Sequence, residues 1–325
     1  MPSWYIKAAI QGALSQLPNA QRYNRFLQRY VTRSLTLTEP YFLRKWQQAE
    51  RHLTEARRHT NAPVQTSLEL GTGWFPIVPL GLALGGSTRV YTVDRQSLLD
   101  KPRLLQVLHA YRRALQHDKI QLTGALARVN ELLNLAPSTT AEQLLDYAGI
   151  STLIADARAL PLPPDRVDLI CSNNTFEHIP RDVLADILRE FRRVLSPTGI
   201  MSHHIDLADH YAHFDSRISV YNFLRFSERR WRLFNNDLQF QNRLRISDYR
   251  NLHHEAGFVL LREESLRKAA AELSRFTLAP EFSRYAPEDL LVFDTWLVSK
   301  AATSDDEWRP SVAQSSERLT GKRYN

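Results

Sequence analysis

The chain has 325 residues, of which 43% are hydrophobic, 42 are Lys or Arg and 35 are Asp or Glu, so its formal net charge is +7. This length forms one large domain or two smaller ones and needs no disulfide or structural metal to fold, and the single cysteine excludes an internal disulfide. Mean hydropathy is negative, and no apolar run approaches the roughly 18 residues of a membrane-spanning helix. We therefore expect a soluble protein of the cytoplasm.

Most of the excess positive charge lies in residues 1–62, which contain ten basic and three acidic residues. Apolar residues recur there at helical spacing, first at Tyr23, Leu27, Tyr30 and Val31 and then at Phe42, Trp46 and Leu53. We predict a basic helical N-terminal cap over residues 1–62 that packs on the domain after it. Peripheral contact of this basic surface with an anionic membrane, or binding to nucleic acid, is the alternative.

A ligand-binding pattern begins at residue 63. A β-prone run over residues 64–70 leads into Gly71-Thr72-Gly73, then into an apolar helical stretch, and then into a second β-prone run that ends at Asp94. This order of strand, glycine turn, helix, strand and acid is typical of units that bind an adenosine-containing cofactor. Gly71 and Gly73 permit a sharp turn and a close approach to the ligand, because neither has a Cβ.

The rest of the chain continues an alternating order of strands and helices. Residues 97–150 have helical spacing and are too long for an ordinary crossover, so we predict a helical insertion there. Strands are predicted at 152–155, 167–171, 199–205, 258–261 and 290–298, and helices at 181–195 and 246–256. Residues 301–325 are polar and charged, which predicts a disordered tail.

Five segments, in order, carry the most informative pattern. They are Glu69-Leu70-Gly71-Thr72-Gly73, Asp94, Asp156-Ala157, residues 167–174 and residues 189–199. This ordered set resembles the class I S-adenosylmethionine-dependent methyltransferases over residues 63–300. The resemblance implies a doubly wound, seven-stranded, mostly parallel α/β sheet of the Rossmann-like kind, with S-adenosyl-L-methionine as the cofactor. One departure is Phe75, which stands where the family often has a third glycine.

The resemblance also implies roles for individual residues. Asp94 would accept hydrogen bonds from the ribose hydroxyls, and Glu69 would lie near the methionine end of the cofactor. Asp156 would bind the adenine amino group, although a strand-end cap is the alternative role for both aspartates. The implied cofactor-binding residues are Glu69, Gly71, Thr72, Gly73, Asp94, Asp156, Ala157, Ser172 and Asn173.

The densest polar cluster follows the predicted fifth strand, where residues 203–215 hold four of the eleven histidines and three aspartates. An imidazole beside a carboxylate suits a general base for a hydroxyl acceptor. The candidates are His204 or His210 as the base, with Asp206 or Asp209 as the carboxylate that orients it. A metal held by carboxylates and a purely structural loop are the alternatives, and we assign no metal ligand. His178 is a further candidate.

Residues 216–250 combine eight Arg with seven aromatic side chains. Arg binds phosphate or carboxylate through two parallel hydrogen bonds, and aromatic faces stack on sugars or rings. We therefore predict an Arg/aromatic lid over the methyl acceptor. The alternative is an insertion whose aromatic side chains belong to the core.

The absence of two family motifs excludes some classes of methyl acceptor. The predicted fourth strand leads into Ser172-Asn173-Asn174-Thr175, so the Asp/Asn-Pro-Pro-Tyr/Phe motif of methyltransferases that modify base amino groups or glutamine is not found there. The Lys-Asp-Lys-Glu set of ribose 2′-O enzymes is also not found. We predict O-methylation of a hydroxyl on a small metabolite or saccharide. The alternatives are a nucleic-acid methyltransferase that uses the basic N-terminus and a non-catalytic methyltransferase-like binding protein; the oligomeric state stays open.

Overall fold

The computed structural model describes residues 3–15, 36–60, 62–236, 238 and 240–303. The helical spacing predicted from Tyr23 to Val31, and the tail predicted beyond residue 303, lie outside these residues. Within the described part of the chain, no helix is both long enough and apolar enough to cross a membrane.

The described residues contain a seven-stranded sheet. Its strands are β1 Thr66–Leu70, β2 Arg89–Asp94, β3 Ile150–Ile154, β4 Val167–Asn173, β5 Leu195–Asp206, β6 Phe258–Arg267 and β7 Val292–Ala301. The strand order is β3-β2-β1-β4-β5-β7-β6, in which β7 runs antiparallel to both of its neighbours. This confirms the predicted doubly wound, mostly parallel α/β sheet. The order reverses between β1 and β4, and in open α/β sheets ligands bind beside the carboxyl ends of the strands at that point.

Helices cover both faces of the sheet. In chain order they are α1 Trp4–Ser15, α2 Glu39–His59, α3 Ile77–Leu84, α4 Lys101–Gln116, α5 Ala125–Leu135, α6 Ala141–Tyr147, α7 Arg181–Val194, α8 Glu228–Trp231, α9 Ile246–Glu255 and α10 Pro287–Leu290. Helices α4, α5 and α6 lie between β2 and β3, within the segment predicted as a helical insertion.

Helix α2 belongs to the core of the domain. The hydroxyl of Thr38 accepts a hydrogen bond from Tyr41 N and caps the start of the helix. The last turn of the helix contains basic residues, whose positive charge interacts favourably with the negative end of the helix dipole. Phe42, Trp46 and Leu53 are 1–4% exposed and lie in one hydrophobic cluster with α3, α4 and the sheet. Residues 39–59 therefore cover one face of the sheet, and most of their apolar side chains stabilise the same core as the strands.

Helix α7 and helix α9 cover the opposite face. Leu184, Ile187, Leu188 and Phe191 recur at helical spacing along α7 and are buried against the sheet. On β4, successive side chains alternate between the two faces, so Ile170 points to the α7 side while Cys171 points to the α2 side. The sheet is thus buried on both sides, as expected for parallel strands.

A third apolar cluster joins α1 to the segment predicted as a lid. Its aromatic members include Trp4, Tyr211, Tyr221, Phe223 and Trp231, which are 0–3% exposed. The aromatic side chains of the lid were expected to cover an acceptor, and for Tyr221, Phe223 and Trp231 the structure corrects this expectation. Each carries a large apolar area, and packing on α1 and on the segment before β7 removes that area from water.

Two arginines of the same segment have structural roles. Arg243 donates to the carbonyl oxygens of Phe223 and Phe226 at 3.0 and 2.6 Å. Arg245 is fully buried and donates to the carbonyl oxygen of Leu207 at 2.7 Å. These guanidinium groups satisfy buried backbone acceptors, and they are not presented to a ligand.

Candidate active site

Strand β1 ends in a tight glycine turn that leads to α3. Gly71 and Gly73 have φ angles of 81° and 69°, a region that favours glycine. A Cβ at Gly71 would lie 2.5 Å from Thr175 Oγ1, whereas no described atom lies within 4 Å of a Cβ built at Gly73. Gly73 N donates to Asp94 Oδ2 at 3.2 Å and so ties the turn to the end of β2. The turn presents open backbone next to a carboxylate.

Two carboxyl groups at this edge have raised pKa values. Glu69 is 3% exposed, and burial raises its pKa to about 7, although Thr72 Oγ1 donates to Glu69 Oε2 at 2.9 Å and the Lys45 ammonium opposes the shift. Burial also raises the pKa of Asp94 to about 6, against hydrogen bonds from backbone amides of the turn. Because a nearby cation favours the ionised form of such groups, this edge suits a ligand with hydroxyls and a positive charge.

Asp156 and Ala157 follow β3 at the same edge. Asp156 is exposed, and its two oxygens accept hydrogen bonds from the Arg158 side chain at 2.6–3.1 Å. These hydrogen bonds lower the pKa of Asp156 to about 2. Ala157 is 7% exposed. The contact of Asp156 with adenine stays a prediction. In the structure, the Asp156 carboxylate is paired with the Arg158 guanidinium.

Ser172 and Asn173 were both expected to line the cofactor edge, but they lie on opposite faces of β4. Ser172 is fully buried on the α7 side, where its hydroxyl lies 2.8 Å from His203 Nδ1. Asn173 is 4% exposed on the α2 side, and its Oδ1 lies 3.2 Å from His52 Nε2. The alternation of a β-strand separates the two side chains, so for Ser172 the expected side-chain contact is corrected.

Asn173 is held by a buried hydrogen-bond chain. Trp296 Nε1 donates to Ser202 Oγ at 2.9 Å, and Ser202 Oγ lies 2.9 Å from His52 Nδ1. Burial lowers the pKa of His52 to about 3, so the ring is neutral. The neutral ring accepts from Ser202 at Nδ1 and donates from Nε2 to Asn173, which fixes the amide of Asn173.

His204 lies on β5 beside Asn173, with which it is paired in register. His204 Nε2 is 2.8 Å from Asp294 Oδ2, and Gln48 Nε2 is 3.0 Å from His204 Nδ1. The ring stacks on Trp296 with centroids 5.2 Å apart. These contacts assign the Nε2–H tautomer, in which Asp294 accepts a proton and Gln48 donates one.

Asp209 does not orient a histidine. It is fully buried, accepts hydrogen bonds from Tyr211 N at 2.8 Å and Asn222 Nδ2 at 2.9 Å, and caps the short turn that follows β5. An aspartate two residues before an amide readily forms this local bond. The sequence assignment of Asp209 as an orienting carboxylate is therefore corrected.

Asp206 is the carboxylate that contacts histidines. Its Oδ2 lies 2.9 Å from His213 Nε2 and 3.5 Å from His210 Nε2. The His210 ring is 4.9 Å from the His178 ring, so the turn after β5 meets the end of β4. Of the predicted pairs, Asp206 with His210 is present, whereas His204 takes its carboxylate from β7.

Sequence reasoning missed four polar residues of this region. Asp294 comes from β7, and the others, Lys45, Gln48 and His52, come from α2. Spacings of three and four residues place all three on one face of α2, next to the buried Ala49. Polar side chains on the apolar face of an amphipathic helix were the available signal, whereas nothing in the sequence near Asp294 indicates its partner.

Comparisons with known proteins give one family match and a set of solved structures with a similar fold. A family model described as a methyltransferase domain matches residues 120–202. No curated protein matches the chain. Solved structures with a similar fold include an S-adenosylmethionine-dependent methyltransferase from Clostridium acetobutylicum (12% identity, TM-score 0.44, covering 86% of this chain and 99% of that one). Another is magnesium protoporphyrin IX methyltransferase from Synechocystis (10% identity, TM-score 0.43, covering 79% of this chain and 83% of that one). A third is geranyl diphosphate C-methyltransferase from Streptomyces coelicolor (11% identity, TM-score 0.42, covering 78% of this chain and 78% of that one).

The strand order, the glycine turn and the acid at the end of β2 define a Rossmann-like methyltransferase domain. The matched family model covers residues 120–202 of this fold, and it indicates a methyltransferase domain whose cofactor is S-adenosyl-L-methionine. The residues present fit this cofactor, because the open space at Gly73 adjoins the Asp94 carboxylate and the buried Glu69. When bound, the cofactor supplies a methyl group on a sulfonium centre.

Proposed function

We propose that this methyltransferase modifies a hydroxyl of a small metabolite or saccharide in the cytoplasm, with His204 as the general base. The observation that carries this proposal is the His204–Asp294 pair beside the carboxyl end of β5. An oriented imidazole suits an acceptor whose proton leaves during the transfer.

The two ring nitrogens of His204 define the path of the proton. Asp294 accepts the Nε2 proton, so the lone pair lies on Nδ1. Gln48 donates to Nδ1, and an acceptor hydroxyl takes the place of Gln48. When the methyl group leaves the sulfonium sulfur for the acceptor oxygen, Nδ1 would take the hydroxyl proton and Asp294 would stabilise the imidazolium.

His210 is the second candidate base, because its Nε2 lies 3.5 Å from Asp206 and makes no hydrogen bond within the described residues. We place His204 first because it is paired in register with Asn173, at the edge that also holds Glu69. In the same proposal, Glu69, Gly71, Thr72, Gly73, Asp94, Asp156, Ala157 and Asn173 bind the cofactor.

The charges of α2 support a small acceptor over a nucleic acid. Arg51 pairs with Glu264 at 2.9 Å, and Arg58 pairs with Glu55 at 3.0 Å. Lys45 is turned toward Glu69 and a second buried glutamate. These basic side chains are therefore partly neutralised within the protein, so α2 offers fewer free charges to a phosphate backbone.

Contact with an anionic membrane stays a separate proposal. Tyr5, Ile6 and Ile10 of α1 are about half exposed, and they give this helix an apolar side. Such a helix can lie in a lipid interface when basic residues flank it. Binding to anionic vesicles, compared with the Ile6→Ser variant, tests this contact.

The proposed activity is tested with labelled cofactor and fractionated cell extract, followed by isolation of the methylated product. We expect a methyl ether, and a turnover of the His204→Ala variant that is lower by about a hundredfold or more. His117→Ala, at an exposed histidine, is the matched control. Full turnover of His204→Ala with normal S-adenosylhomocysteine binding would contradict the base assignment.

The alternatives have different signatures. Failure to bind S-adenosylhomocysteine in calorimetry would contradict the cofactor assignment. Normal binding without transfer to any fraction favours a non-catalytic binding protein. Binding to bulk RNA or DNA that falls steeply with salt concentration favours the nucleic-acid acceptor.

A further inference from the structure

We propose that a divalent transition-metal ion binds a cluster formed by Glu177, His178, Asp206, His210 and His213. We call this group the histidine–carboxylate cluster. It lies where the end of β4 meets the turn after β5. The proposal goes beyond methyl transfer and does not depend on the identity of the acceptor.

The cluster contains two overlapping sets of ligand atoms that share His210. Glu177, His178 and His210 each offer one such atom, and the three atoms lie within 4.8 Å of one another. Asp206, His210 and His213 form a second set within the same distance. A metal ion with ligand bonds of about 2.0–2.2 Å can bring together atoms that start 3–4.8 Å apart after small side-chain rotations.

Glu177 provides an independent indication of a cation. Its side chain is 2% exposed, and neither carboxylate oxygen has a hydrogen-bond partner of good geometry among the described residues. Burial, followed by the charge of Asp206, raises its pKa well above the usual range, and the backbone amides of Glu177 and Asp206 and the Lys45 ammonium oppose this shift only in part. An unpaired buried carboxylate is costly, and a bound dication removes that cost.

His178 has the support that metal-binding histidines usually have. Its Nδ1 donates to the carbonyl oxygen of Phe240 at 2.7 Å, which fixes the ring and leaves Nε2 as the coordinating atom. Hydrogen bonds of this kind orient an imidazole and increase its basicity toward the metal. The backbone of Phe240 therefore positions a candidate metal ligand, His178, at the end of β4.

The donor set selects the class of metal. Three imidazoles and two carboxylates suit Zn²⁺, Co²⁺, Fe²⁺ or Mn²⁺, whereas Mg²⁺ and Ca²⁺ prefer sites built from oxygen alone. The alternative is a cluster without metal, in which Glu177 is protonated and the histidines pair only with Asp206. These two states differ in whether a cation binds with one-to-one stoichiometry.

The test is calorimetry of the full chain, after removal of metal with a chelator, with Zn²⁺, Co²⁺ and Mg²⁺ as separate probes. We expect one tight site for Zn²⁺ and for Co²⁺, and binding of Mg²⁺ that is at least about tenfold weaker. Bound Co²⁺ should give visible absorption bands of a low-symmetry nitrogen and oxygen site. No binding of Zn²⁺ or Co²⁺ would overturn the proposal.

Variants locate the bound ion. His178→Ala and His210→Ala should each weaken Zn²⁺ binding by more than the about tenfold typical of a supporting residue, and His117→Ala should leave it unchanged. Glu177→Gln should bind Zn²⁺ more weakly while its metal-free form unfolds at a higher temperature, because the buried acid must take up a proton on folding or stay ionised, and the amide does neither. Tight binding that persists in His178→Ala and His210→Ala would place the metal elsewhere and overturn the assignment.

Discussion

At the carboxyl edge of the sheet, the chemistry of two histidine side chains depends on which ring nitrogen carries the proton. His52 bridges Ser202 and Asn173 as a neutral ring, and His204 bridges Gln48 and Asp294. Each ring makes one donated and one accepted hydrogen bond, so its tautomer is fixed by its neighbours. Changing a neighbour should therefore change chemistry without changing the fold.

Asp294→Asn should lower turnover by about a hundredfold or more while S-adenosylhomocysteine affinity stays the same. An amide cannot stabilise the imidazolium of His204, and it allows the wrong tautomer. Steady-state kinetics on the acceptor, together with calorimetry, measures both quantities. Asp146→Asn changes an exposed carboxylate far from the site and is the control. Equal losses in both variants would contradict the role of Asp294.

Glu69 should make cofactor binding depend on pH. Burial raises its pKa to about 7 in the free protein, and the α-ammonium at the methionine end of the cofactor, which S-adenosylhomocysteine also carries, favours the carboxylate. Binding then releases a proton below pH 7, so the Kd for S-adenosylhomocysteine should rise up to about tenfold for each unit that the pH falls below 7.

Calorimetry between pH 5 and 8 checks this dependence. Glu69→Gln should flatten the profile, leaving only the smaller contribution of Asp94, whose pKa is about 6. Glu50→Gln, on the exposed side of α2, should keep the full profile. A profile that is unchanged in Glu69→Gln would place this carboxyl away from the charged end of the cofactor.

Among the elements, α2 contributes most to both packing and chemistry. One of its faces buries Phe42, Trp46 and Leu53 against α3, α4 and the sheet, and the same side of the helix brings Gln48 and His52 to β4 and β5. A basic sequence segment is thus an integral wall of the site. A shift of this helix would move the polar groups that contact His204 and Asn173.

Trp46→Ala should destabilise the whole domain by about 3–5 kcal/mol, because it removes a large buried side chain and leaves a cavity. Urea denaturation followed by circular dichroism measures this loss. Gln47→Ala, the exposed neighbour on the same helix, should change stability by less than about 0.5 kcal/mol. If Trp46→Ala left the main unfolding transition unchanged, α2 would be a detachable cap.

Across the described residues, burial shifts the pKa values of several ionisable groups toward their neutral forms, from both directions. Burial lowers the pKa of His52 to about 3 and of His253 to about 4, and it raises the pKa of Asp209 to about 6. The histidines therefore reduce stability as the pH falls, and the carboxyl groups reduce stability as the pH rises. Stability over the weakly acidic range reflects the balance of these opposing dependences.

The contribution of His253 to the pH dependence of the free energy of unfolding can be measured. Its ordinary pKa of 6.5 applies to the unfolded chain, which takes up a proton between pH 6.5 and 4 while the folded chain does not. Stability from this group is thus fully present above pH 6.5 and is lost as the pH falls. His253→Gln should reduce the pH slope of unfolding free energy in that window by up to about 1.4 kcal/mol per pH unit.

Urea denaturation at pH 4.5, 5.5 and 6.5 provides the comparison. Phe258→Leu alters the same part of the core without a titrating group, so its curve should lie below that of the wild type by a constant amount. A slope in His253→Gln equal to that of the wild type would mean that His253 is protonated in the folded state.

The sequence alone determined the sheet, the cofactor and the chemical class of the enzyme. Alternating strands and helices, the turn Gly71-Thr72-Gly73 and the acid at Asp94 depend on local spacing, and the order of such segments along a chain restricts the topology to few solutions. The same local information placed Phe42, Trp46 and Leu53 on one helix face, and these residues are buried. Periodicity shows which residues share a face, because it is a property of the backbone.

Only the tertiary structure decided which polar groups meet. Asp294 reaches His204 from an antiparallel strand 90 residues further along the chain. Side chains alternate between the two faces of β4, so Ser172 and Asn173 point to opposite sides of the sheet. Asp209 accepts hydrogen bonds from the amide of Tyr211 and the side chain of Asn222, although it lies in the same histidine-rich segment as Asp206. Contacts between distant elements depend on strand register and on how helices dock, and a single sequence encodes these only through the packing of the whole core.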